Sequence, residues 1–399
     1  MKGFAEFRMP GAVFYGNDSL SKLGEQVSIL GNKALIVSDR IMEKIGNVKK
    51  CQDLLDEAGI SHVEYLEVNS EPTDVHVEEA LKICTENQCD VIVAIGGGSC
   101  IDAAKAVAVL ATNGGYIGEF IGGKRPVDKK PIPLIAIPTT AGTGSEVTNV
   151  TVITNIKDDI KMMIKNPAFL PEMAIVDPVL TYSSPPNVTA ATGVDALCHA
   201  VEAYISKHAQ PMTDTLALSA IELIVGNLRA AYINGEDKEA REKMALASMQ
   251  AGLAFTNASV ALVHGMSRPI GALFHVPHGI SNAMLLPAVL EFTKDSAVDR
   301  LAEIGKILRP DLKTLTNDDL ANVTVNEIKK LCADLHIPNM KTYGLDSGKF
   351  KEVASKMAKD ALASGSPDNN PRVPDLDEII ELYHMCYNYD FAVLETVGN

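Results

Sequence analysis

The chain has 399 residues, of which 46% are hydrophobic and 22% charged, and its formal net charge is −15. This length exceeds what one hydrophobic core usually supports, so we expect two domains, and the composition is that of a globular protein rather than a disordered one. The acidic balance argues against nucleic acid as a partner, because contact with a phosphate backbone needs clustered Lys and Arg.

Neither a targeting segment nor a membrane span is expected from the sequence. The N-terminal segment lacks the apolar stretch of a signal peptide, and the longest apolar runs, at 34–38 and 91–95, have the length of strands. Seven cysteines are scattered without a CxxC pair, which favours reduced thiols over disulfides or a zinc ribbon. We therefore expect a cytoplasmic protein that binds no membrane.

The first half of the chain alternates short β-rich runs with amphipathic helical patterns at 41–59 and 75–88. This rhythm of two-sided apolar strands and helices predicts a parallel sheet covered by helices. The strand candidates are KALIVSD (33–39), HVEYLEV (62–68), CDVIVAIGGG (89–98), PLIAIPTT (133–140) and MAIVDP (173–178).

A Pro-rich break at 183–190 separates this half from a region of long helical patterns, such as 213–233 and 241–265. The second half therefore predicts an all-helical bundle. We place an α/β domain at 1–182 and an all-helical domain at 183–399, with a ligand expected between the two.

A glycine loop joins the third strand candidate to the next helical pattern, in the segment CDVIVAIGGGSCIDAAK. Gly97 and Gly98 would let the backbone approach a pyrophosphate at the positive end of the following helix. Ser99 and Asp102 have the spacing of a capping box at the start of that helix. The loop is not GxGxxG, and a tight turn that serves only packing is the competing explanation.

A second polar loop, PTTAGTGSE (138–146), follows the next strand candidate. Thr139, Thr140, Thr143 and Ser145 place hydroxyl groups beside flexible glycines, which suits phosphate or ribose oxygens. Two such loops after parallel strands favour a dinucleotide site. Asp39, at the end of the first strand candidate, would bind ribose hydroxyls and repel a 2′-phosphate, which favours NAD over NADP; a solvated strand-end Asp is the alternative.

Metal-ligand residue types lie in two distant stretches of the helical half. Asp195 and His199 stand at i and i+4 on one helix face, with Glu202 near the same face as a rival ligand or a supporting partner. His264 is expected to end an apolar helix, and His278 opens the next helix after Pro277. Three imidazoles and one carboxylate suit Fe(II), Co(II), Ni(II) or Zn(II) better than Mg(II) or Ca(II).

Five motifs together resemble the iron-containing (group III) alcohol dehydrogenase family, which includes lactaldehyde reductase and 1,3-propanediol dehydrogenase. They run from end to end of the chain, in the order and spacing of the family. The motifs are GGGSCIDAAK (96–105), PTTAGTGSEVT (138–148), the stretch from AIVDPVL to GVDALCHAVEAY (174–204), HGMSRPIGALFHVPHG (264–279) and NNPR (369–372).

The resemblance implies a dehydroquinate synthase-like architecture, an N-terminal NAD-binding domain, a C-terminal metal-binding domain, and a homodimer or larger homo-oligomer. It implies iron, with zinc or another divalent ion as the alternative. The metal positions are Asp195, His199, His264 and His278, and the cofactor positions are Asp39, Gly97, Gly98, Ser99, Thr139, Thr140, Thr143 and Lys161. Two departures stand out: Arg268 replaces a histidine, and Glu71 precedes Pro72 in place of an asparagine.

These features predict a metal-dependent oxidoreductase that interconverts a small primary alcohol or diol and its aldehyde by hydride transfer to or from NAD. His275 is the candidate proton relay, because imidazole titrates near neutrality, and a supporting or core histidine is the alternative of equal weight. Arg268 can bind a carboxylate or phosphate on a substrate or cofactor, which would indicate a hydroxy-acid substrate, but a structural salt bridge is the favoured explanation.

Two alternatives remain open on the sequence alone. A glycerol dehydrogenase or a dehydroquinate synthase would keep the fold and change the substrate. A protein that binds metal and nucleotide without catalysis would keep the sites and lose the chemistry.

Overall fold

In a computed structural model, residues 4–158 and 160–392 of the chain are described. They divide into two compact units. Among the residues described, one unit comprises Phe7–Ser184, and the other comprises residues 4–6 and 185–392.

A six-stranded parallel sheet forms the centre of the first unit, with the strand order β1-β8-β5-β4-β2-β3. The two remaining strands, β6 and β7, pair with each other as an antiparallel hairpin. The strands are β1 (Ala12–Tyr15), β2 (Lys33–Val37), β3 (Ser61–Tyr65), β4 (Val91–Gly96), β5 (Leu134–Pro138), β6 (Val150–Asn155), β7 (Ile160–Lys165) and β8 (Met173–Val176).

Helices cover both faces of this sheet. They are α1 (Leu23–Leu30), α2 (Arg40–Lys44), α3 (Asn47–Glu57), α4 (Asp74–Glu86) and α5 (Gly98–Asn113), with 3-10 helices at Ser19–Lys22, Ile117–Gly123, Ser145–Val147, Pro167–Phe169 and Pro178–Thr181. Alternate strand residues face opposite layers: Ile36 and Val93 pack with α1 and α3, while Leu35 and Ile92 pack with α4 and α5. The predicted parallel, helix-covered sheet is therefore confirmed.

Three local features of this unit differ from the prediction. The edge strand β1 and the β6–β7 hairpin were not predicted, because their segments are short and only partly buried. The helical pattern at 41–59 is divided into α2 and α3 at Gly46, whose φ of 85° suits glycine and interrupts a helix.

The second unit is entirely helical among the residues described, as predicted. Its helices are α6 (Pro186–Ile205), α7 (Pro211–Ile233), α8 (Lys238–Ala258), α9 (Leu262–Phe274), α10 (His278–Thr293), α11 (Val298–Leu308), α12 (Asn317–Asp334), α13 (Met340–Tyr343), α14 (Ser347–Ala363) and α15 (Leu376–Tyr387), with 3-10 helices at Lys294–Ser296, Pro310–Leu312 and Pro367–Asn369.

The single helix expected over 241–265 is wrong. Ser259 has a φ of 67°, which ends α8, and α9 begins three residues later. His264 therefore lies in the first turn of α9 instead of ending an apolar helix. His278 opens α10, as expected, directly after Pro277.

One helix of the described chain, α7, is long and apolar enough to cross a membrane by length and composition. This helix has no long uninterrupted apolar run, so the run lengths in the sequence do not indicate it. The helix packs against α6 and α8 within the helical unit. Core helices of soluble proteins meet the same criterion, so α7 is weak evidence for a membrane segment.

Candidate metal centre and cofactor loops

Helix α6 presents two of the predicted metal ligands and one supporting carboxylate on the same face. Asp195, His199 and Glu202 follow one another at spacings of four and three residues, which place them in a row along the helix. All three side chains are buried. Burying two carboxylates in a helical core is costly unless opposite charge or hydrogen-bond donors compensate.

The other two predicted ligands come from the ends of neighbouring helices. His264 lies in the first turn of α9 and His278 is the first residue of α10. The break at Ser259 and the position of Pro277 before α10 direct these two segments toward α6, which packs against both helices.

The structure brings the four predicted side chains together. One ligand atom from each of Asp195, His199, His264 and His278 lies within 4.8 Å of the others. The Nε2 atoms of His264 and His278 lie 3.6 and 3.8 Å from Asp195 Oδ1. Two ligands bonded at about 2.1 Å to one ion can be at most about 4.2 Å apart, so these distances suit a shared divalent ion after small adjustments.

A buried amide lies among these ligand atoms. Asn282 Nδ2 is 2.6 Å from Asp195 Oδ1 and 3.1 Å from Nε2 of both His264 and His278. Its Oδ1 is buried without a hydrogen-bond partner among the residues described. Three acceptor atoms thus converge on one point, and the donor set fits a borderline divalent cation.

Glu202 binds the far side of His264. Its Oε2 lies 2.5 Å from His264 Nδ1, and its Oε1 accepts a hydrogen bond of 2.6 Å from the backbone N–H of Val263. Because Nδ1 is held by the carboxylate, Nε2 faces Asp195 and His278. Both oxygens of Glu202 are thus engaged by His264 and Val263, which favours the supporting role over that of a ligand.

The electrostatics of the cluster show an excess of negative charge. Burial would raise the pKa of Asp195, but the three imidazoles around it outweigh this effect and lower it. Burial would likewise lower the pKa of His264, but Glu202 and Asp195 raise it to about 9. The carboxylates and imidazoles of the cluster thus stabilise one another's charged forms, and the two carboxylates would likewise stabilise a bound cation.

Arg268 and His275 occupy different environments on α9. The Nη1 group of Arg268 donates to Ser366 Oγ at 3.1 Å, and burial lowers the pKa of the guanidinium to about 10 despite the opposing effect of Glu202. His275 caps the C-terminus of α9 in a left-handed conformation with φ 55°, and its side chain is exposed. It is outside the four-residue cluster, so its role as a proton relay stays a prediction.

In the α/β unit, the two glycine-containing loops meet at the carboxyl ends of β4 and β5. Thr139 N donates to Gly96 O at 3.0 Å. A Cβ on Gly98 would lie 2.8 Å from Thr143 Cγ2, and one on Gly97 would lie 3.8 Å from Thr140 Oγ1. Glycine is therefore required at 98 by the close approach of the second loop.

Helix α5 begins at Gly98 without a side-chain cap among the described residues. The predicted capping box of Ser99 and Asp102 is wrong, because Gly97 is the N-cap and the Asp102 carboxylate binds elsewhere. The backbone N–H groups in the first turn of α5 thus remain available to another acceptor. Because α5 has 16 residues, its N-terminus also carries the positive end of a helix dipole, which suits a phosphate.

Asp39 follows β2, the neighbour of β4 in the sheet, and caps α2. Its Oδ1 accepts from the backbone N–H groups of Ile41 and Met42, and its Oδ2 lies 3.6 Å from Cys100 Sγ. The chain leaves β2 and β4 toward opposite edges of the sheet, and ligands of such folds bind at this switch point. Asp39 therefore lies at the edge where a ribose is expected.

Ser145 belongs to a buried polar network, defined here as Asp102, Lys105, Ser145 and Thr148. Ser145 Oγ donates to Asp102 Oδ1 at 2.5 Å, and Lys105 Nζ donates to Ser145 Oγ and Thr148 Oγ1 at 2.9 and 3.0 Å. The second Asp102 oxygen accepts from Val152 N at 2.8 Å. The Ser145 hydroxyl is thus used inside the protein, where it fixes the second loop to α5.

Lys161 lies on β7, and its Nζ is 2.6 Å from Glu71 Oε2. Glu71 is the residue that departs from the family pattern before Pro72. The ion pair partly shields Lys161, whose side chain is 10% exposed. A cofactor that binds Lys161 would compete with this carboxylate.

Sequence reasoning missed Asn282 and the buried polar network. Asn282 stands four residues after His278 on α10, and this spacing is a signal that could have identified it. The bond of Asp102 to β6 had no such signal, because it joins segments 50 residues apart.

Comparison with known proteins finds two family models that match successive parts of the chain. Residues 10–178 match the family model described as iron-containing alcohol dehydrogenase, and residues 189–387 match the C-terminal model of the same family. Among curated relatives, 1,3-propanediol dehydrogenase from Citrobacter freundii is 39% identical over 96% of this chain and 98% of its own. Lactaldehyde reductase from Escherichia coli K12 is 36% identical over 94% and 97%.

Two solved structures are also similar to this chain over almost its whole length. A crystal structure of 1,3-propanediol oxidoreductase superposes with a TM-score of 0.92 at 37% identity, covering 96% of this chain and all of the other. Sulfoacetaldehyde reductase from Bifidobacterium kashiwanohense, solved in complex with NAD+, has a TM-score of 0.86 at 29% identity and covers 97% of this chain and 100% of its own.

Proposed function

Because the chain belongs to the iron-containing alcohol dehydrogenase family, we propose that it interconverts a small primary alcohol or diol and its aldehyde with NAD at one divalent metal ion. The observation that carries the proposal is the convergence of one carboxylate and three imidazoles on a buried point. Such a donor set favours Fe(II) or Zn(II) over the hard ions that bind all-oxygen sites.

Asp195, His199, His264 and His278 would hold the ion. When bound, the ion supplies Lewis-acid stabilisation of the charge that develops on the alcohol oxygen. Glu202 orients His264 so that its Nε2 faces the other ligands. The three ligand-bearing helices pack against one another, so that the proposed ligands are carried by rigid elements.

The NAD phosphates would bind at the start of α5, where Gly97, Gly98 and Ser99 leave backbone N–H groups available and Gly98 allows the close approach. Thr139, Thr140 and Thr143 lie beside these groups on the second loop. Asp39 would accept from the adenosine ribose, which supports NAD over NADP. Lys161 would contact the cofactor only after its release from Glu71. Ser145 would act indirectly, because its hydroxyl fixes the second loop to α5.

The overall reaction is balanced without a further reactant. A hydride leaves the carbinol carbon and a proton leaves the hydroxyl group, so that the alcohol becomes an aldehyde and NAD+ becomes NADH. His275, exposed at the end of α9, is the proposed carrier of the proton to solvent.

Substrate-dependent NADH formation by metal-loaded protein tests this proposal. Protein stripped with a chelator and reloaded with Fe(II) or Zn(II) should reduce NAD with alcohols and diols of two to four carbons. His264→Ala should lower kcat/KM by at least about 100-fold, because a metal ligand is lost, and should leave NAD affinity within a few-fold. NADH formation that survives His264→Ala would contradict the ligand assignment.

Absence of NADH formation with the whole panel, in wild-type protein with one bound metal per chain, would favour binding without catalysis. We further propose iron as the native metal, a cytoplasmic location, and a homodimer or larger assembly. Metal analysis of protein purified without added metal, and sedimentation of the same sample, test the first and last of these.

A further inference from the structure

Helix α4 ends in a turn that places two cysteines side by side. The backbone N–H of Cys89 donates to Cys84 O at 2.9 Å, and the N–H of Gln88 donates to Thr85 O at 3.1 Å. Gln88 lies in the left-handed region, with a φ of 55°. These two bonds around a left-handed residue form a Schellman motif, in which the side chains that flank the turn contact each other. In α4 the flanking side chains are the thiols of Cys84 and Cys89.

Three other helices of the described chain, α3, α12 and α13, end with the same two backbone bonds. The side chains that flank their turns are Leu55 with Ile60, Cys332 with Ile337, and Met340 with Leu345. Each of these pairs contains a branched aliphatic side chain, which provides the apolar contact that this motif usually has. Only packing is therefore expected at those three turns, whereas the turn after α4 brings together two groups that can react with each other.

The two thiols differ in how readily they ionise. A hydrogen bond between them raises the pKa of Cys84 and lowers the pKa of Cys89. The positive charge of Lys33 lowers the pKa of Cys89 further, against the opposing effect of burial. Burial raises the pKa of the other five cysteines, which are Cys51, Cys100, Cys198, Cys332 and Cys386. Because the thiolate is the reactive form, Cys89 is the best nucleophile among the seven.

Cys89 is also the nearer of the two to solvent. It is 7% exposed and Cys84 is 1% exposed, while Gln88 and Asp90 on either side of Cys89 are exposed. The ends of helices open at a lower free energy than the core does, so a small reagent can reach Cys89. Cys84 needs no contact with solvent, because its partner in a reaction is Cys89.

We infer that Cys84 and Cys89 are a modification site, at which hydrogen peroxide converts the two thiols into a reversible disulfide. In the first step the Cys89 sulfur attacks a peroxide oxygen, so that an S–O bond forms, the O–O bond breaks, and the leaving hydroxide takes the thiol proton and becomes water. In the second step the Cys84 sulfur attacks the Cys89 sulfur, so that an S–S bond forms, the S–O bond breaks, and a second water leaves. Both sulfur atoms are oxidised and one peroxide is reduced.

The disulfide would join the end of α4 to the residue that precedes β4 by one position. The backbones of Cys84 and Cys89 are already hydrogen-bonded to each other, so the bond can form with little movement of the chain. A dithiol would reverse it by exchange. The Cys89 sulfur would thereby be spared from irreversible oxidation.

Peroxide treatment of the folded, reduced wild-type protein tests the inference. After the remaining thiols are alkylated, peptide mass spectrometry should find Cys84 and Cys89 joined, with a mass lower by two hydrogen atoms, and dithiothreitol should restore both thiols. The pair should react at least about tenfold faster than Cys51, a buried single thiol of the same unit whose pKa is raised. In protein unfolded with urea before treatment, this difference in rate should disappear, because the turn and the hydrogen bond between the thiols are lost.

Two variants separate the roles of the thiols. Cys84→Ser should leave Cys89 without a partner, so that Cys89 gains two oxygen atoms as the sulfinic acid. Cys89→Ser should leave Cys84 reduced, and the matched control Cys51→Ser should form the disulfide at the wild-type rate. The inference is wrong if Cys84 and Cys89 of the folded wild type stay reduced under conditions that oxidise Cys51, or if either of them forms a disulfide with a different cysteine. Both of these outcomes are read from the wild type, so they hold even where a variant folds poorly.

Discussion

The two ring nitrogens of His264 have different partners, and this division decides what the residue can do. Nδ1 is held by Glu202 at 2.5 Å, whereas Nε2 lies 3.6 Å from Asp195 Oδ1 among the other ligand atoms. A carboxylate on one nitrogen fixes the tautomer and makes the other nitrogen a better metal ligand. Glu202 is therefore a positioning residue, and its effect should appear in metal binding.

Glu202→Gln should weaken metal affinity by about 10- to 100-fold, because the amide cannot supply the negative charge that orients and polarises His264. Competition of the protein with a chelating dye for Zn(II) measures this. Glu222→Gln, an exposed glutamate on α7, is the matched control. Equal affinity in wild type and Glu202→Gln would mean that the carboxylate serves only the packing of α6 against α9.

At the scale of elements, α5 and the second loop are joined by a polar network that contains buried charge. The 3-10 turn Ser145–Val147, which ends the second loop, also buries Glu146. Burial raises the pKa of Glu146 to about 7, although Lys105 opposes the shift. Burial lowers the pKa of Lys105 to about 8, with Asp102 and Glu146 opposing. The loop is thus held by a charge arrangement that depends on pH.

Glu146→Gln should stabilise the protein above pH 7 and have little effect near pH 5. The pKa of Glu146 is about 7 in the folded state and 4.5 as the ordinary value, so the folded state binds the proton more tightly. The wild-type protein therefore loses folding stability as the pH rises from the ordinary pKa of 4.5 toward the folded-state pKa of about 7. This loss amounts to up to about 3 kcal/mol and is complete above about pH 7. Thermal unfolding at pH 5 and pH 8 measures the difference.

The exposed residue Glu57 on α3 supplies the control for that measurement, since Glu57→Gln removes a carboxylate in contact with solvent. A stabilisation by Glu146→Gln that is the same at both pH values would show that the ionised carboxylate is not the source of the effect.

At the scale of the whole molecule, the two units carry separate parts of the chemistry. The proposed metal ligands come from α6, α9 and α10 of the helical unit, and the proposed cofactor loops follow β4 and β5 of the α/β unit. An ion that binds three helices of one unit only in the folded state stabilises that unit by mass action. Metal should therefore affect the unfolding of the helical unit more than that of the α/β unit.

An ion present at about 1,000 times its dissociation constant stabilises the folded unit by about 4 kcal/mol. Removal of the metal should therefore lower the melting temperature of the helical unit by roughly 10 °C. Differential scanning calorimetry with and without chelator measures the shift. His264→Ala should show almost no shift, whereas His62→Ala, in the other unit, should behave as wild type. A shift of equal size in His264→Ala would place the ion elsewhere.

Several features of this protein could be predicted from residues that are near one another in the chain. The strands β2, β4 and β5 were predicted because each is an apolar run that is buried on both faces, and such runs are a local signal. The placement of Asp195 and His199 on one face of α6 is likewise a local property, because residues four apart in a helix lie on the same face. The ligand residue types by themselves likewise indicate a borderline divalent metal.

Only the tertiary structure decided which partners these residues have. Asp102 has the spacing of a helix cap yet binds β6, and Glu202 binds His264 from 62 residues away. Local propensity cannot rank such contacts, because buried charges bind whichever donors the packed chain brings to them. For the same reason the sequence identified Arg268 as a departure from the family, whereas its hydrogen bond to Ser366 is a property of the fold.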